Sequence, residues 1–356
     1  FRQEVRAFLS AHANRFPKPF GVNRPTPEAL AWQALLIEHG YAARTIPKEY
    51  GGYGAKGDIL ESRIIAEEFS RARAPWGLVN QGISMLVPTL LEMGSDEQKH
   101  RWIAPTLRGE VIWCQGYSEP GAGSDLASLT TYGVDDRKDF IVNGQKIWTS
   151  GAQYATYGIL IARTNPDAPK HKGVSYFICP MDLPGIEIRT IKNIAGAESF
   201  NEVFFTDVRI PHANVVGDVN DGWRLAKVTL GNERVSLSTG GVLWGNGPTA
   251  LDVIAEAKKL GITNQTMRHR LVDIYIEHTI LEIIRMRTLT ARLRGTQPGP
   301  EASIRKIMAD EHGQTVMELA RDITGAQAMV IGQEDAVAGK SITSKSWYSG
   351  YMFSKA

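Results

Sequence analysis

The sequence has little cysteine, no basic block and no long apolar run. Only two cysteines, Cys114 and Cys179, occur among 356 residues, and they lack the spacing of metal ligands. They predict buried thiols in a reducing compartment rather than a disulfide framework or a zinc site. The longest stretch without charge, residues 74–91, is interrupted by two prolines, Asn80 and Gln81. It is therefore too polar to predict a membrane span.

The charge balance gives no indication of a nucleic-acid-binding protein. Forty lysine and arginine residues stand against 38 acidic ones, a formal net charge of +2. Without a basic cluster, no nucleic-acid surface is indicated. The length and the 43% hydrophobic content allow two or three domains. We expect a soluble cytoplasmic protein, and we expect its natural start to lie upstream of Phe1.

Hydrophobic periodicity divides the chain into three regions. Residues 1–112 carry helical patterns, residues 113–218 carry short β-branched runs, and helical periodicity returns over residues 219–356. This order predicts an N-terminal α-helical domain, a middle antiparallel β-barrel or sandwich, and a C-terminal four-helix-bundle-like domain that is truncated at its end. Within the middle region, Asn143–Gly144 predicts the type I′ turn of a hairpin.

The segment GYSEPGAGSD, residues 116–125, is the first candidate ligand site. Its glycines let a flat or anionic ligand approach the backbone, and Ser118 and Ser124 add hydroxyls. It is not followed by Gly-Lys-Ser/Thr, as in a Walker loop, or by the helix and later acid of a dinucleotide fingerprint. Taken alone, the segment fits a surface turn as well as it fits a binding site.

Trp148, Thr149 and Ser150 form the second candidate site. A tryptophan beside two hydroxyl residues offers a π face and hydrogen-bonding groups, which suits an isoalloxazine ring. The alternative is that Trp148 is a core aromatic of the sheet. Because this segment accompanies the glycine-rich loop, we favour a flavin site.

Several motifs in this order resemble the acyl-CoA dehydrogenase family. They are GYSEPGAGSD, VNGQKIWTS, ART, the strand FTDVRIP and the Gly-Trp pair at position 222. The resemblance implies the α–β–α fold of that family, with FAD bound against the middle domain. It also implies oxidation of an acyl-CoA thioester to the 2-enoyl-CoA, with electron-transferring flavoprotein as the acceptor in many members.

Carried over by position, the resemblance implies a set of FAD contacts from both motifs. They are Tyr117, Ser118, Gly123, Ser124, Trp148, Thr149 and Ser150. Tyr117 and Ser118 are implied to act through backbone and hydroxyl. Ser124 is implied to lie near the flavin phosphates or ribityl chain and to meet the substrate. No metal is implied.

The implied reaction needs a base that removes the α proton while the β hydrogen leaves as hydride to flavin N5. Most members carry this glutamate in a segment that we expect to begin where this chain stops, at YMFSKA. Some carry it on the first long helix of the C-terminal domain, where this chain reads GNERVSLS. The resemblance therefore implies Glu233 as base, with Arg234 orienting it or meeting the substrate. The alternative for Glu233 is a surface ion pair.

The chain departs from the family where homotetrameric members grip the FAD pyrophosphate of a neighbouring subunit. Their Arg-x-x-Phe-Gly motif is absent from AKKLGITNQTMRHRL, and Asp322 of DITGA replaces a glutamine. An acid facing a pyrophosphate would repel it. The chain therefore resembles the steroid side-chain dehydrogenases, which assemble from two different subunits, although a homo-oligomer stays open.

Three functions remain open from the sequence. The leading hypothesis is a catalytic acyl-CoA dehydrogenase. A flavin monooxygenase or oxidase on the same fold, or a non-catalytic subunit of a heteromer, are the alternatives. The acyl group, whether short, branched or polycyclic, is not predicted.

Overall fold

The structure is a computed structural model of the chain. It describes residues 1–18, 24–194, 196–237, 249–295, 301–326, 351–352 and 354–355, with the side chains of residues 233–237, 292, 301–303 and 306 outside the description. Contacts between residues divide the chain into two compact units. The first contains Phe1–Asn193 and Glu198–Glu233, and the second contains Ile194–Ala197 and Arg234–Ala356.

The N-terminal region contains five helices among its described residues. They are α1 (Arg2–Ala11), α2 (Pro27–Glu38), α3 (Ile59–Ala72), α4 (Val87–Met93) and α5 (Asp96–Leu107). Three of them begin at residues whose side chains accept hydrogen bonds from the first turn, namely Thr26, Asp58 and Ser95. Trp32 and Phe69, each at most 2% exposed, lie in a core shared by α1, α2 and α3.

The middle region is one eight-stranded sheet. Its strands are β1 (Trp113–Gly116), β2 (Tyr132–Asp135), β3 (Asp139–Lys146), β4 (Tyr157–Arg163), β5 (Val174–Pro180), β6 (Ile186–Ile191), β7 (Phe200–Pro211) and β8 (Val215–Val216). The order is β6-β7-β3-β2-β4-β5-β8, and β1 pairs with β4. The α–β–α class is confirmed. The sheet is mixed rather than purely antiparallel because β1 and β2 both run parallel to β4.

The prediction of a hairpin turn at Asn143–Gly144 is wrong. Both residues lie inside β3, where the pairing register with β7 shifts. Gly144 has a φ of 147°, and a Cβ there would come within 2.5 Å of Thr131, so the glycine serves a β-bulge. The hairpin turn instead joins β2 to β3, where the Asp136 side chain accepts hydrogen bonds from two backbone N–H groups of the turn.

The predicted burial of the two cysteines is confirmed. Cys114 on β1 and Cys179 on β5 both pair with Gly158 of the intervening strand β4. Both thiols are free and fully buried, and burial raises the pKa of Cys114 to about 12. Such thiols are poor nucleophiles and poor metal ligands.

The described residues after the sheet form four helices. They are α6 (Gly222–Leu237), α7 (Ala250–Lys259), α8 (Gln265–Leu293) and α9 (Glu301–Thr324). Within the second unit, α7, α8 and α9 share a core that includes Val253, Ile274 and Leu319. Among the described helices, none is long and apolar enough to cross a membrane. The domain boundaries near residues 112 and 218 stay predictions.

Candidate functional site

The fold brings the two predicted flavin motifs together. The glycine-rich loop continues β1 beyond Gly116, and the Trp148 segment continues β3 beyond Lys146. The two chain segments are joined where the Ile147 N–H donates a hydrogen bond to the Ser118 carbonyl at 2.9 Å. Residues separated by about thirty positions in sequence therefore form one surface of the sheet.

The loop makes a tight turn with an open outer side. Glu119 and Ala122 exchange two backbone hydrogen bonds of 3.0 Å around Pro120–Gly121. Gly123 and Ser124 are exposed, and Ser118 is half-buried. A Cβ placed on Gly121 or Gly123 would meet nothing within 4 Å, so a ligand can approach this backbone closely.

The Tyr117 side chain points into the protein core, away from the open side of the loop. Its side chain is 4% exposed and belongs to the core that β1 shares with the N-terminal helices. Its carbonyl accepts a hydrogen bond from Lys146 Nζ at 3.0 Å. What Tyr117 offers a ligand is therefore its backbone rather than its ring.

A buried ion pair that the sequence interpretation missed lies directly under the loop. Lys146 Nζ donates to Glu119 Oε1 at 2.8 Å, and the two side chains are 0% and 3% exposed. Burial by itself would raise the pKa of Glu119, but the Lys146 charge and further hydrogen bonds lower it to about 2. The sequence shows the two charged residues, a glutamate within a glycine-rich loop and a lysine at the end of β3, but not that they meet.

The Trp148 side chain is exposed to solvent. Its ring is 58% exposed and makes an edge contact with Phe200, with 6.0 Å between ring centroids. A ring exposed to this extent is not a core aromatic, which removes the alternative raised from the sequence. The backbone of Trp148 has a φ of 60°, a left-handed conformation that is costly for an L-residue. Such outliers concentrate at functional sites.

Thr149 and Ser150 differ from each other in exposure. Thr149 is 1% exposed, and its side chain lines a small internal cavity with Cys114 and Cys179. Within the described part of the chain, its hydroxyl has no hydrogen-bond partner. Ser150 is half-buried at the surface that carries Trp148. The roles of both residues stay predictions.

The predicted base lies on α6. The backbone of Glu233 and Arg234 is helical, within Gly222–Leu237, whereas both side chains lie outside what the structure describes. Their roles stay predictions. The helix is anchored one turn earlier by Thr229, whose hydroxyl lies 2.9 Å from that of Thr89 and 3.3 Å from that of Tyr176.

Asp322, which sequence analysis placed opposite a pyrophosphate, is not an isolated acid. Its carboxylate accepts from Arg270 Nη1 at 2.7 Å and from Arg321 Nε and Nη2 at 2.9 and 2.6 Å. Burial alone would raise the pKa of Asp322, but the two guanidinium groups lower it. The three side chains line an open depression together with Met267 and Gly325, and their formal charges sum to +1.

Metal ligation finds no support in the described residues. Among them, no group of three or more histidine, cysteine, aspartate or glutamate side chains is arranged to hold a metal ion. The site chemistry that remains is hydrogen bonding from loop N–H groups and hydroxyls, and ring contact from Trp148. That donor set suits a flat, polar cofactor such as a flavin.

Comparison with protein families agrees with this geometry over nearly the whole chain. Models described as the N-terminal, middle and C-terminal domains of acyl-CoA dehydrogenase match residues 1–110, 114–208 and 220–350. The fold and site define a flavoprotein of α–β–α architecture. The chain belongs to the acyl-CoA dehydrogenase family.

Individual relatives give the same assignment. Acyl-CoA dehydrogenase IpdE1 of Mycolicibacterium smegmatis is 34% identical over 100% of this chain and 91% of its own length. Acyl-CoA dehydrogenase FadE34 of Mycobacterium tuberculosis is 39% identical over 84% of this chain, but the match spans only 41% of that longer protein.

Two solved structures with the same fold are each described by the names of two proteins. The structure described as "Tcur3481-Tcur3483 steroid ACAD" has a TM-score of 0.79 and 29% identity, and covers 99% of this chain and 90% of its own. The ChsE4-ChsE5 complex from Mycobacterium tuberculosis has a TM-score of 0.75 and 28% identity, covering 99% and 91%.

The chain is therefore an acyl-CoA dehydrogenase family enzyme, an oxidoreductase whose cofactor is FAD. The residues fit this cofactor, since an unobstructed glycine-rich backbone lies beside an exposed tryptophan. When bound, FAD supplies the acceptor for a hydrogen that leaves the substrate with its electron pair.

Proposed function

We propose that the chain dehydrogenates an acyl-CoA thioester between its α and β carbons, with Glu233 as the base. Glu233 would take the α proton, and bound FAD would supply the acceptor for the β hydrogen, which leaves with its electron pair, so that the product is the 2-enoyl-CoA. The observation that carries the proposal is the junction of the loop 117–125 with the exposed Trp148. Ser118 and Ser124 supply hydroxyls at this junction, and Arg234 is proposed to orient Glu233 or the substrate.

The position of Glu233 on α6 supports this role. It follows Thr229 by four residues, so the two positions share one face of the helix. Thr229 itself is fully buried, with its hydroxyl against those of Thr89 and Tyr176. We propose that Glu233 is shielded from solvent in the same way, as a carboxylate base that works near neutral pH requires.

The test is conversion of acyl-CoA in the presence of an artificial electron acceptor, with the product identified by mass spectrometry. The expected product is lighter than the substrate by two hydrogens. Glu233→Gln is expected to lower the rate at least about a hundredfold, the usual contribution of a catalytic acid or base. The matched control Glu97→Gln removes an exposed helical carboxylate and is expected to leave the rate unchanged. An unaltered rate in Glu233→Gln would exclude this base.

We infer further that the chain works in an oligomer, and that its partner is a different subunit. The middle of α8 exposes six apolar side chains on one face, each at least 39% exposed. They are Val272, Tyr275, Ile276, Ile280, Ile283 and Met286. Exposed apolar surface of this kind is typical of subunit interfaces. Both structural relatives are described by the names of two proteins, and one of them is described as a complex. This favours a heteromer over a homomer for this chain.

Cofactor retention separates these two assemblies. The chain purified alone is expected to hold little FAD, and the chain co-expressed with its partner is expected to hold it stoichiometrically. Full FAD occupancy of the lone chain would exclude the shared site and favour a homomer. Oxygen consumption during turnover, without need for an artificial acceptor, would instead identify an oxidase or monooxygenase on the same fold.

A further inference from the structure

Lys146 carries a charge that is buried within the sheet. Its side chain is fully buried at the end of β3, where lysine is rarely found unless it is paired. Both acceptors of its ammonium group belong to the glycine-rich loop: the Tyr117 carbonyl at 3.0 Å and Glu119 Oε1 at 2.8 Å. One buried charge thus binds two residues, Tyr117 and Glu119, at the start of the glycine-rich loop.

The Glu119 carboxylate is saturated by groups from outside the loop. Oε2 accepts from the Thr130 N–H at 2.6 Å and from the Thr130 hydroxyl at 2.7 Å. Oε1 accepts from the Thr131 N–H at 2.9 Å in addition to Lys146. This side chain is turned into the protein while Gly123 and Ser124 on the same loop face outward.

The same lysine sits at the base of the other motif. Only Ile147 separates it from Trp148, and the Ile147 N–H donates to the Ser118 carbonyl at 2.9 Å. A displacement of Lys146 therefore moves the loop through its side chain and the Trp148 turn through the backbone. No other lysine of the described residues is buried to this degree.

We propose that Lys146, through its ion pair with Glu119, is the positioning residue that holds the glycine-rich loop and the Trp148 turn in the one arrangement that accepts the flavin. The proposal rests on the flavin site proposed above and deepens it. Stability is a weak explanation for the pair, because apolar residues of similar volume often replace buried ion pairs without loss. Apolar residues cannot, however, hold the Tyr117 carbonyl and the Thr130–Thr131 backbone in register.

Two variants separate positioning from stability. Lys146→Met leaves the Glu119 carboxylate buried without its cation, and is expected to lower the melting temperature by about 10 °C. The double variant Lys146→Met/Glu119→Gln removes both charges and is expected to regain the part of that loss that comes from the unpaired charge, since the introduced amide oxygen still accepts from one threonine. If Lys146 positions the loop, the dissociation constant for FAD stays raised about tenfold or more in both variants. The exposed ion pair of Arg189 and Glu187 provides the control, since Arg189→Met is expected to leave FAD binding unchanged.

Hydrogen exchange supplies a readout that does not depend on the flavin. In the chain without ligand, the amides of residues 117–119, 121 and 122 and the Ile147 amide are expected to exchange faster in the double variant than in the wild type. Wild-type exchange and wild-type FAD affinity in a double variant of restored stability would overturn the positioning role. Failure of the wild-type chain, with its partner present, to bind FAD would instead overturn the proposed flavin site, and exchange would still decide whether Lys146 orders the loop.

Discussion

Asn201 and Thr149 hydrogen-bond each other in both directions. The Thr149 N–H donates to the Asn201 carbonyl at 3.0 Å, and the Asn201 side-chain amide donates to the Thr149 carbonyl at 2.9 Å. Asn201 is fully buried on β7 and also donates to Gln153 Oε1 at 2.6 Å. Asn201 therefore binds both the N–H and the carbonyl of Thr149, and these hydrogen bonds hold the turn that carries Trp148 against the sheet.

Asn201→Ala is expected to lower the free energy of unfolding by about 1–3 kcal/mol, because it leaves buried acceptors without a donor. Urea unfolding followed by circular dichroism measures this change. Asn143→Ala is the matched control, since Asn143 bonds Asp207 across an exposed part of the same sheet. An equal loss in the two variants would show that the Asn201 bonds have no special role in holding the turn.

Trp148→Gly tests whether the exposed ring serves a ligand. Glycine relieves the positive φ of 60° but adds backbone entropy to the unfolded chain. We expect the free energy of unfolding to change by less than about 1 kcal/mol. FAD affinity is expected to fall about three- to tenfold through loss of ring contact, as measured by fluorescence titration. The control Trp76→Ala removes another exposed ring, in the N-terminal region, and should not alter FAD affinity. A stability loss without an affinity loss would contradict the assignment.

The buried pair predicts a particular pH dependence. Because the folded-state pKa of Glu119, about 2, lies below its ordinary value of 4.5, its contribution to stability is present above pH 4.5. That contribution is lost as the pH falls toward 2. Relative to Lys146→Met/Glu119→Gln, the wild type is expected to lose about 2 kcal/mol of unfolding free energy between pH 6 and pH 3. Urea unfolding of both proteins at each pH gives this difference. A difference that does not vary with pH would refute the lowered pKa.

The Arg270–Asp322–Arg321 cluster makes a prediction about anion binding. Asp322→Asn removes the negative charge that both guanidinium groups contact, so the formal charge of the cluster rises from +1 to +2. If the cluster faces the cofactor pyrophosphate in the assembled enzyme, FAD affinity is expected to rise about fivefold at low salt. The gain is expected to shrink at high salt. Calorimetric titration measures it, with exposed Asp273→Asn on α8 as the control. Equal affinities for Asp322→Asn and wild type would place the pyrophosphate elsewhere.

Periodicity was sufficient to predict the α–β–α order, because each region buries its apolar face with its own repeat. The sequence also predicted that the loop 116–125 and the Trp148 segment belong to one site, and the structure brings the two segments together through the Ile147–Ser118 hydrogen bond, whereas their roles stay predictions. The hairpin was misplaced because Asn-Gly suits a turn and Gly144 suits a bulge equally well. The Lys146–Glu119 pair was missed because its partners lie 27 residues apart, and only the strand order brings them together.

The most direct test of the central claim is an anaerobic titration of the FAD-loaded protein with a panel of acyl-CoA thioesters, followed by visible absorption. The flavin absorption of the wild type is expected to bleach with at least one thioester, and that thioester identifies the acyl group. Glu233→Gln is expected to bind the same thioester without bleaching. Bleaching of Glu233→Gln at the wild-type rate would contradict Glu233 as the base, and a wild type that no thioester bleaches would contradict acyl-CoA dehydrogenation itself.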